Sequence, residues 1–487
     1  MSNTAIPAKT TPEQTQATLS AAARAHAAWC RAPRGRRAEV LDALARALEG
    51  AVDRLVPIAM EETNLAEARL RGEVKRTAFQ LSLFAEVLRD GEYLDARIDP
   101  ADPAWPMGAP RPDLRRSLRP LGPVVVYSAS NFPFAFSVLG GDTASALAAG
   151  NAVIVKAHDG HPRLSEATHA VSAAVLEAEG FAGLHGLVFG REAGLSVLKD
   201  SRIKAGGFTG SIPGGRALMD VAVSRPEPIP FYGELGSTNP VFVTKNADAA
   251  RGADIAAAFV GSFTMSTGQF CTKPGMLFVP EGSAVLVALE AASLPVVAPM
   301  LNPAIAGGFA HALEALSGHD DVRRLSAGVA GGDGPAPVLL STTLEALLAA
   351  PEALEAECFG PSALVVTYAD EAQLIAAAAT FEGQLTASLQ AEESDDVAEL
   401  VHVLAERAGR VLWNEWPTGV SVTYAQQHGG PYPATTAPGS TSVGTAAIER
   451  FLRPVAFQNF PQHLLPEELK DATAGSIPRR VNGVRVK

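Results

Sequence analysis

Apolar positions recur at steps of three and four along the first ninety residues. Leu41, Leu44, Leu48, Val52 and Leu55 mark one such stripe, the spacing of a helix face turned toward a core. The segment from residue 12 to about 90 is therefore expected to be helical. Between 98 and 122 the period is lost in "IDPADPAWPMGAPRPDLRRSLRPLG", whose prolines and arginines suit an exposed connection or an edge hairpin. Beyond it, short apolar runs alternate with helical stretches. "PVVVYSA" leads to a helix ending "ALAAGN" and then to "AVIVKA", a βαβ unit. The alternation continues through a helix at 162 to 179, "LHGLVFG", "REAGLSVLK", "IKAGGFTG", a helix at 213 to 224 and "PIPFYGELG". Five strands with helical crossovers predict a doubly wound α/β nucleotide-binding unit.

A second α/β region opens at about residue 236 with "NPVFVTK" and contains "SALVVTY". Near the end, "VNGVRV" sets Asn482-Gly483 between valines, a hairpin signal. The expected division is 1–100 with 121–235 as the cofactor-binding domain, 236–445 as the catalytic domain, and 101–120 with 446–487 as bridging or oligomerisation segments. A chain of 487 residues supports such a division, since one core seldom serves that length.

Composition narrows the partners. The net charge of -12 opposes general affinity for nucleic acid or anionic membrane, which need concentrated Lys and Arg. Small molecules and sister subunits are expected instead. No apolar run approaches spanning length, and the start of the chain lacks a charged leader with an apolar core, so a cytoplasmic protein is expected. Three widely separated cysteines fit neither a disulfide framework nor a zinc site.

Six stretches carry candidate chemistry. In "TGQFCTKPG", after a stretch from 251 to 268 that reads as helical, Cys271 lies in a glycine-flanked, uncharged loop that suits a nucleophile, though a lone cysteine is more often packing. Glu234 ends the strand of "FYGELGSTNP" and is a candidate general base, with a cap or an ion pair as the commoner role. Asn131 in "SASNFPFAF" could donate to an oxyanion or cap a helix. Lys156 in "IVKAHDGHP" ends a buried strand at the edge where cofactors sit, while His158 and His161 lack a third metal ligand. Gly210 and Ser211 in "GGFTGSIPGG" form a glycine-rich turn into a helix, able to face a pyrophosphate. Glu357 in "EAECFGP" could bond ribose hydroxyls or cap a turn.

Taken in this order, the six stretches resemble the aldehyde dehydrogenase superfamily, with its Asn-Phe-Pro turn, strand-end lysine, Phe-Thr-Gly-Ser turn, Glu-Leu-Gly segment, Gly-Gln-x-Cys loop and Glu-x-Phe-Gly-Pro segment. The resemblance runs from the N-terminal helices to the tail. It implies a Rossmann-type cofactor domain, an α/β catalytic domain and a small oligomerisation sheet. It also implies that Cys271 attacks an aldehyde, that Asn131 and the Cys271 N–H hold the oxyanion, and that Glu234 activates water. Lys156, Asp159, Gly210, Ser211, Leu235, Glu357 and Phe359 match cofactor positions, and no metal is implied. Asp159 can bond two free ribose hydroxyls and would repel a 2'-phosphate, so the expected cofactor is NAD or NADP with NAD favoured.

"PDLRRSLRPLGPVVV", "QHGGPYPATT" and "STSVGTAAIERFLRPVAFQNFP" are similar to 2-oxoglutarate semialdehyde dehydrogenases, and more distantly to a bacterial fatty aldehyde dehydrogenase. The implied reaction takes 2,5-dioxopentanoate to 2-oxoglutarate, in a homodimer or homotetramer. A longer fatty aldehyde is the alternative, with Phe132, Phe134, Phe270 and Trp416 able to line either pocket. A non-catalytic binding protein and a thioester-forming acyl transferase are readings of other classes. The first is opposed by Cys271, Glu234 and Asn131 together, the second by a hydrolytic Glu234.

Overall fold

The computed structural model describes residues 5–473 and 475–486. Four helices open the chain: α1 (Pro12–Trp29), α2 (Arg34–Gly50), α3 (Val52–Thr63) and α4 (Glu67–Asp90). A reciprocal cap starts α1: the Thr11 hydroxyl accepts from the Gln14 N–H and the Gln14 side chain accepts from the Thr11 N–H. Gly91, at φ 86°, ends α4 in the left-handed region. Leu41, Leu44, Leu48 and Leu55 are at most 1% exposed, so the stripe read from the sequence does face inward.

Two short strands follow, β1 (Ala96–Asp99) and β2 (Leu114–Pro120). The chain then alternates through β3 (Val124–Tyr127), α5 (Asp142–Ala149), β4 (Val153–Lys156), α6 (Pro162–Ala178), β5 (His185–Val188), α7 (Arg191–Lys199), β6 (Ala205–Thr209), α8 (Ile212–Val223) and β7 (Phe231–Glu234). These five later strands form a parallel sheet in the order β5-β4-β3-β6-β7. Val124, Val125, Val126, Val153, Ile154 and Val155 are nearly or fully buried, as expected of strands covered on both faces. The chain leaves β3 in one direction and returns on its other side for β6, so a crevice opens at the carboxyl ends there. The indole N–H of Trp29 donates to the Leu147 carbonyl at 2.9 Å, joining the helical layer to α5 beside this sheet.

A seven-stranded sheet follows, built from β8 (Val241–Val243), β9 (Met276–Pro280), β10 (Arg323–Ala327), β11 (Val338–Thr343), β12 (Ser362–Tyr368), β13 (Gln384–Gln390) and β14 (Ala408–Trp413). Its order is β10-β11-β12-β9-β8-β13-β14, and only the β10–β11 pair is antiparallel. A long helix, α9 (Lys245–Thr264), connects β8 toward β9. A third sheet joins β15 (Leu452–Gln458), β2, β1, β16 (Arg479–Val481) and β17 (Val484–Val486). Strand β1 thus lies with the tail strands, and Asn482 and Gly483, at φ 49° and 77°, turn β16 into β17 as a hairpin of this type requires.

Two local expectations give way. Residues 129 to 141 make turns and not a helix start, so Asn131 is no helix cap. The helical reading of 251 to 268 ends at Thr264; Ser266, Thr267 and Gly268 all take positive φ, at 53°, 59° and 65°. Two non-glycine residues there store strain, which persists only where the surroundings hold it.

Candidate active site

Cys271, Glu234 and Asn131 converge, and a fourth residue joins them. His428 places Nε2 2.9 Å from Glu234 Oε1 and 3.6 Å from Cys271 Sγ, and the three side chains each offer an atom within 4.8 Å of the others. Glu234 is 2% exposed, with the Ser442 hydroxyl donating to its Oε2. Burial alone would push its carboxyl up. The His428 contact, the Ser442 bond and Arg450 outweigh that and hold it below the ordinary carboxylate range. Kept ionised, Glu234 fixes a proton on His428 Nε2, and the thiol meets that same N–H.

Burial raises the Cys271 thiol well above its ordinary range, and the charge and hydrogen bond of Glu234 add to it. The resting sulfur is therefore protonated, with its acceptor already alongside. The Cys271 backbone N–H faces its own sulfur. Asn131 Nδ2 lies in the same corner, donating to the Gln269 carbonyl at 3.1 Å. A donor amide, a partly buried thiol and a buried carboxylate thus gather, the set that acyl chemistry through a thioester requires.

Each of these groups is positioned by a different device. Glu234 ends β7 by strand register, and its carbonyl accepts from the Gly210 N–H at 3.0 Å. Cys271 sits on a loop braced from below by Asn239, whose Nδ2 donates to the Cys271 and Lys273 carbonyls, both at 2.9 Å. Lys273 is buried and spent on the Cys358 and Ser362 carbonyls. At Gly268 a Cβ would lie 2.1 Å from the Gly360 carbonyl oxygen, so only glycine admits this approach. The Asn131 turn is fixed from α4: Glu73 Oε1 accepts from the N–H groups of Phe134 and Ala135 at 2.8 and 2.9 Å, Arg69 donates to the Asn131 carbonyl, and Gln80 accepts from Gly141 N–H.

Of the candidate cofactor residues, Lys156, Asp159, Gly210, Ser211 and Leu235 sit at or just beyond the carboxyl ends of β4, β6 and β7, and Glu357 and Phe359 on the loop before β12. Lys156 closes β4 and pairs with the exposed Asp159 at 2.9 Å. Ser211 caps α8, accepting from the Gly214 N–H, and Gly210 precedes it in the open. Leu235 packs so close to Gly215 that a Cβ there would lie 2.1 Å from its Cδ2, and Glu357 Oε2 would lie 2.5 Å from a Cβ on Gly236. Burial lifts the Glu357 carboxyl to about 7, with Lys273 and the Ser237 N–H opposing. Phe359, partly covered, stands just before Gly360. A cavity of about 490 Å³ lies among Ile212, Gly236, Ser237, Glu357 and Gln384. A cation and a helix N-terminus suit phosphates, and carboxylates suit ribose hydroxyls, so the residues present fit a dinucleotide.

His158 and His161 stack at 5.5 Å, and burial holds both below the ordinary imidazole range. His161 bonds the Ala129 carbonyl at 2.9 Å, a brace near the Asn131 turn. Of the four aromatics, Phe132 and Phe270 meet edge to face at 5.3 Å, whereas Phe134 is buried in the helical core and Trp416 packs on Phe259 of α9. Cys358 packs against Met300 and Phe309. Sequence reading missed His428, Ser442 and the α4 residues. His428 stood in the quoted "QHGGPYPATT" with no role, 194 residues from Glu234.

A family model described as the aldehyde dehydrogenase family matches residues 3–453. The chain is 43% identical over 92% of its length to the alpha-ketoglutaric semialdehyde dehydrogenase of Acinetobacter baylyi, covering 87% of that protein. It is 45% identical over 93% of its length to alpha-ketoglutaric semialdehyde dehydrogenase 2 of Azospirillum brasilense, covering 88% of it. Among solved structures, a 1-pyrroline-5-carboxylate dehydrogenase from Thermus with bound NAD superposes with a TM-score of 0.77 at 21% identity, over 93% of this chain and 86% of that one.

Proposed function

The chain belongs to the aldehyde dehydrogenase family, and from that premise we propose that it oxidises 2,5-dioxopentanoate to 2-oxoglutarate at Cys271. The convergence of thiol, carboxylate and amide carries the chemistry; the two relatives named for this semialdehyde support the substrate. Attack by sulfur on the aldehyde sends the thiol proton to Glu234, 194 residues from His428 in sequence yet bonded to it. The Nε2–H of His428 steadies the thiolate as it forms. Asn131 Nδ2 and the Cys271 N–H take the thiohemiacetal oxyanion, a contribution of about 3 kcal/mol per donor. A bound nicotinamide dinucleotide supplies the hydride acceptor. Glu234 gives up that first proton to solvent, then takes one from water as it adds to the thioester; the proton passes to the departing Cys271 sulfur and the carboxylate product is released.

Lys156, Gly210, Ser211, Leu235, Glu357 and Phe359 hold the dinucleotide in this reading, on the five-stranded parallel sheet. Asp159 favours NAD, since its carboxylate bonds free ribose hydroxyls and repels a 2'-phosphate. We assign assembly, as a homodimer or homotetramer, to the small sheet: β17 is an edge strand with Val484 64% exposed, and uncovered edges invite pairing. The three unpaired cysteines fit the reducing cytoplasm. No helix among the described residues is long and apolar enough to cross a membrane.

Steady-state kcat/KM for 2,5-dioxopentanoate, pentanal and decanal, each with NAD and NADP, tests this reading, with Cys271→Ala as the blank. A strong preference for the dioxo acid is expected. Preference for decanal would make this a fatty aldehyde enzyme, and activity surviving in the alanine variant would sink the thioester route.

A further inference from the structure

Helix α4 hides a polar stripe. Arg69, Glu73, Arg76 and Gln80 fall at steps of four, three and four, one face of the helix, among the buried Leu70, Val74, Leu81 and Phe84. Three of the four are spent on the Asn131 segment, through the bonds to Asn131, Phe134, Ala135 and Gly141. Arg69 is held further by Ser266 and by stacking between Phe132 and Phe270, at 5.0 and 4.9 Å. Arg76 is different. Its one hydrogen bond among the described residues is a long one, Nη2 to the Val420 carbonyl at 3.4 Å.

The surroundings of Arg76 point toward the thiol. Its guanidinium lies over Phe136 at 5.2 Å, and Phe136 faces the His428 ring at 6.4 Å. Val420 belongs to a loop whose Gly419 N–H donates to Thr272, the neighbour of Cys271, at 3.4 Å. Arg410, which also lies near, is consumed by the Pro417 and Gly419 carbonyls and holds that loop. Burial pulls the Arg76 guanidinium down, while the charge on Glu73 and Glu234, and on Cys271 once ionised, acts in the opposite direction. Glu73, on the same helix, spends Oε1 on backbone N–H groups, keeps Oε2 buried without a hydrogen-bond partner, and forms no ion pair with Arg76 among the described residues. A half-buried cation without a partner is costly, unless a ligand brings the counter-charge.

Resting on the substrate reading above, we infer that Arg76 is the receptor for the far carboxylate of the substrate, and thereby sets chain length and charge specificity. An extended five-carbon chain spans about 5 Å between its end carbons. With its aldehyde at Cys271, such a chain would carry its carboxylate toward the Phe136 side of the pocket. The free guanidinium edge can take that carboxylate through two parallel N–H bonds. A fatty aldehyde would instead strand its apolar tail against an unpaired cation.

The test compares wild type, Arg76→Met and Arg76→Lys on 2,5-dioxopentanoate and on pentanal, which has the same length and no carboxylate. Arg76→Met should lose about 100-fold in kcat/KM for the dioxo acid, carried by KM, and keep pentanal within about threefold. Arg76→Lys should recover part of the loss. Glutarate should compete with the dioxo acid in wild type and fail to compete in Arg76→Met. Parallel loss on both aldehydes, or no loss on either, would overturn the anchor while leaving the substrate reading intact. A wild-type enzyme that does not prefer the dioxo acid over pentanal would overturn the substrate reading, and the anchor with it.

Discussion

Glu234 and Cys271 arrive at the same point by opposite routes. Glu234 closes a strand, so sheet register sets it, and β6 neighbours it through the Thr209–Glu234 pair. Cys271 rides a loop that leaves α9 through three left-handed residues and is held by side chains from distant parts of the chain. The strand end takes its backbone position from the ladder, and His428 and Ser442 then hold the carboxylate. The loop needs Asn239 beneath it and Gly360 beside it. Rigid sheets deliver a base cheaply, whereas a nucleophile that must sit within reach of both base and amide has to be braced residue by residue.

The largest expected effect breaks the pair at its strand-borne member. Glu234→Gln should cut turnover by about 10²- to 10⁴-fold, with no burst of reduced cofactor, since a glutamine accepts neither the thiol's proton nor water's. The same change should speed alkylation of Cys271. Glu234 raises the thiol's pKa, so in wild type the thiolate fraction and kcat/KM climb as pH rises; a neutral glutamine removes that charge and moves the climb to lower pH. Iodoacetamide rates measured across pH decide it, and an unshifted profile would show that burial alone protects the proton.

Asn131→Ala removes the amide that faces the Cys271 loop, and kcat should fall by about 10²- to 10³-fold with KM little altered. A loss confined to KM would make Asn131 a ground-state contact. Asn239→Ala attacks the loop from below. It leaves the Cys271 and Lys273 carbonyls without their donor, at a cost of about 1–3 kcal/mol. Thermal melts should record it, and alkylation should lose its single-exponential time course as the loop relaxes. A melt identical to wild type would show that the strained turn holds itself.

The smallest effect lies at the far end of the crevice. Asp159→Ser should raise the NADP to NAD ratio of kcat/KM by about tenfold, or about 1.4 kcal/mol. It should leave the alkylation of Cys271 untouched, which separates cofactor selection from nucleophile activation.

Much of this was legible in the chain itself. The leucine stripe of α2, the five parallel strands and the Asn482-Gly483 hairpin follow from period and turn chemistry, and Cys271, Glu234 and Asn131 stand in compact motifs. The left-handed turn at Ser266 and Thr267 was hidden because its local sequence continues a helical pattern; tertiary bonds to Ala298 and Arg69 override it. His428 was hidden for another reason. Its partners lie 157 and 194 residues away, and a histidine between glutamine and two glycines announces nothing by spacing. The α4 stripe did leave a trace, polar residues at helical intervals inside an apolar helix, which periodicity alone reads as a solvated face.

The contact between Gly268 and Gly360 has a mechanical meaning. A Cβ at position 268 would sit 2.1 Å from the Gly360 oxygen, so the two loops share a wall with no slack. Glu357 and Phe359 stand three and one residues ahead of that wall, and Cys271 three residues beyond it on the other side. Any shift of the 357–361 segment is therefore passed to the Cys271 loop as a push, much as a bolt sliding home moves the latch it bears on.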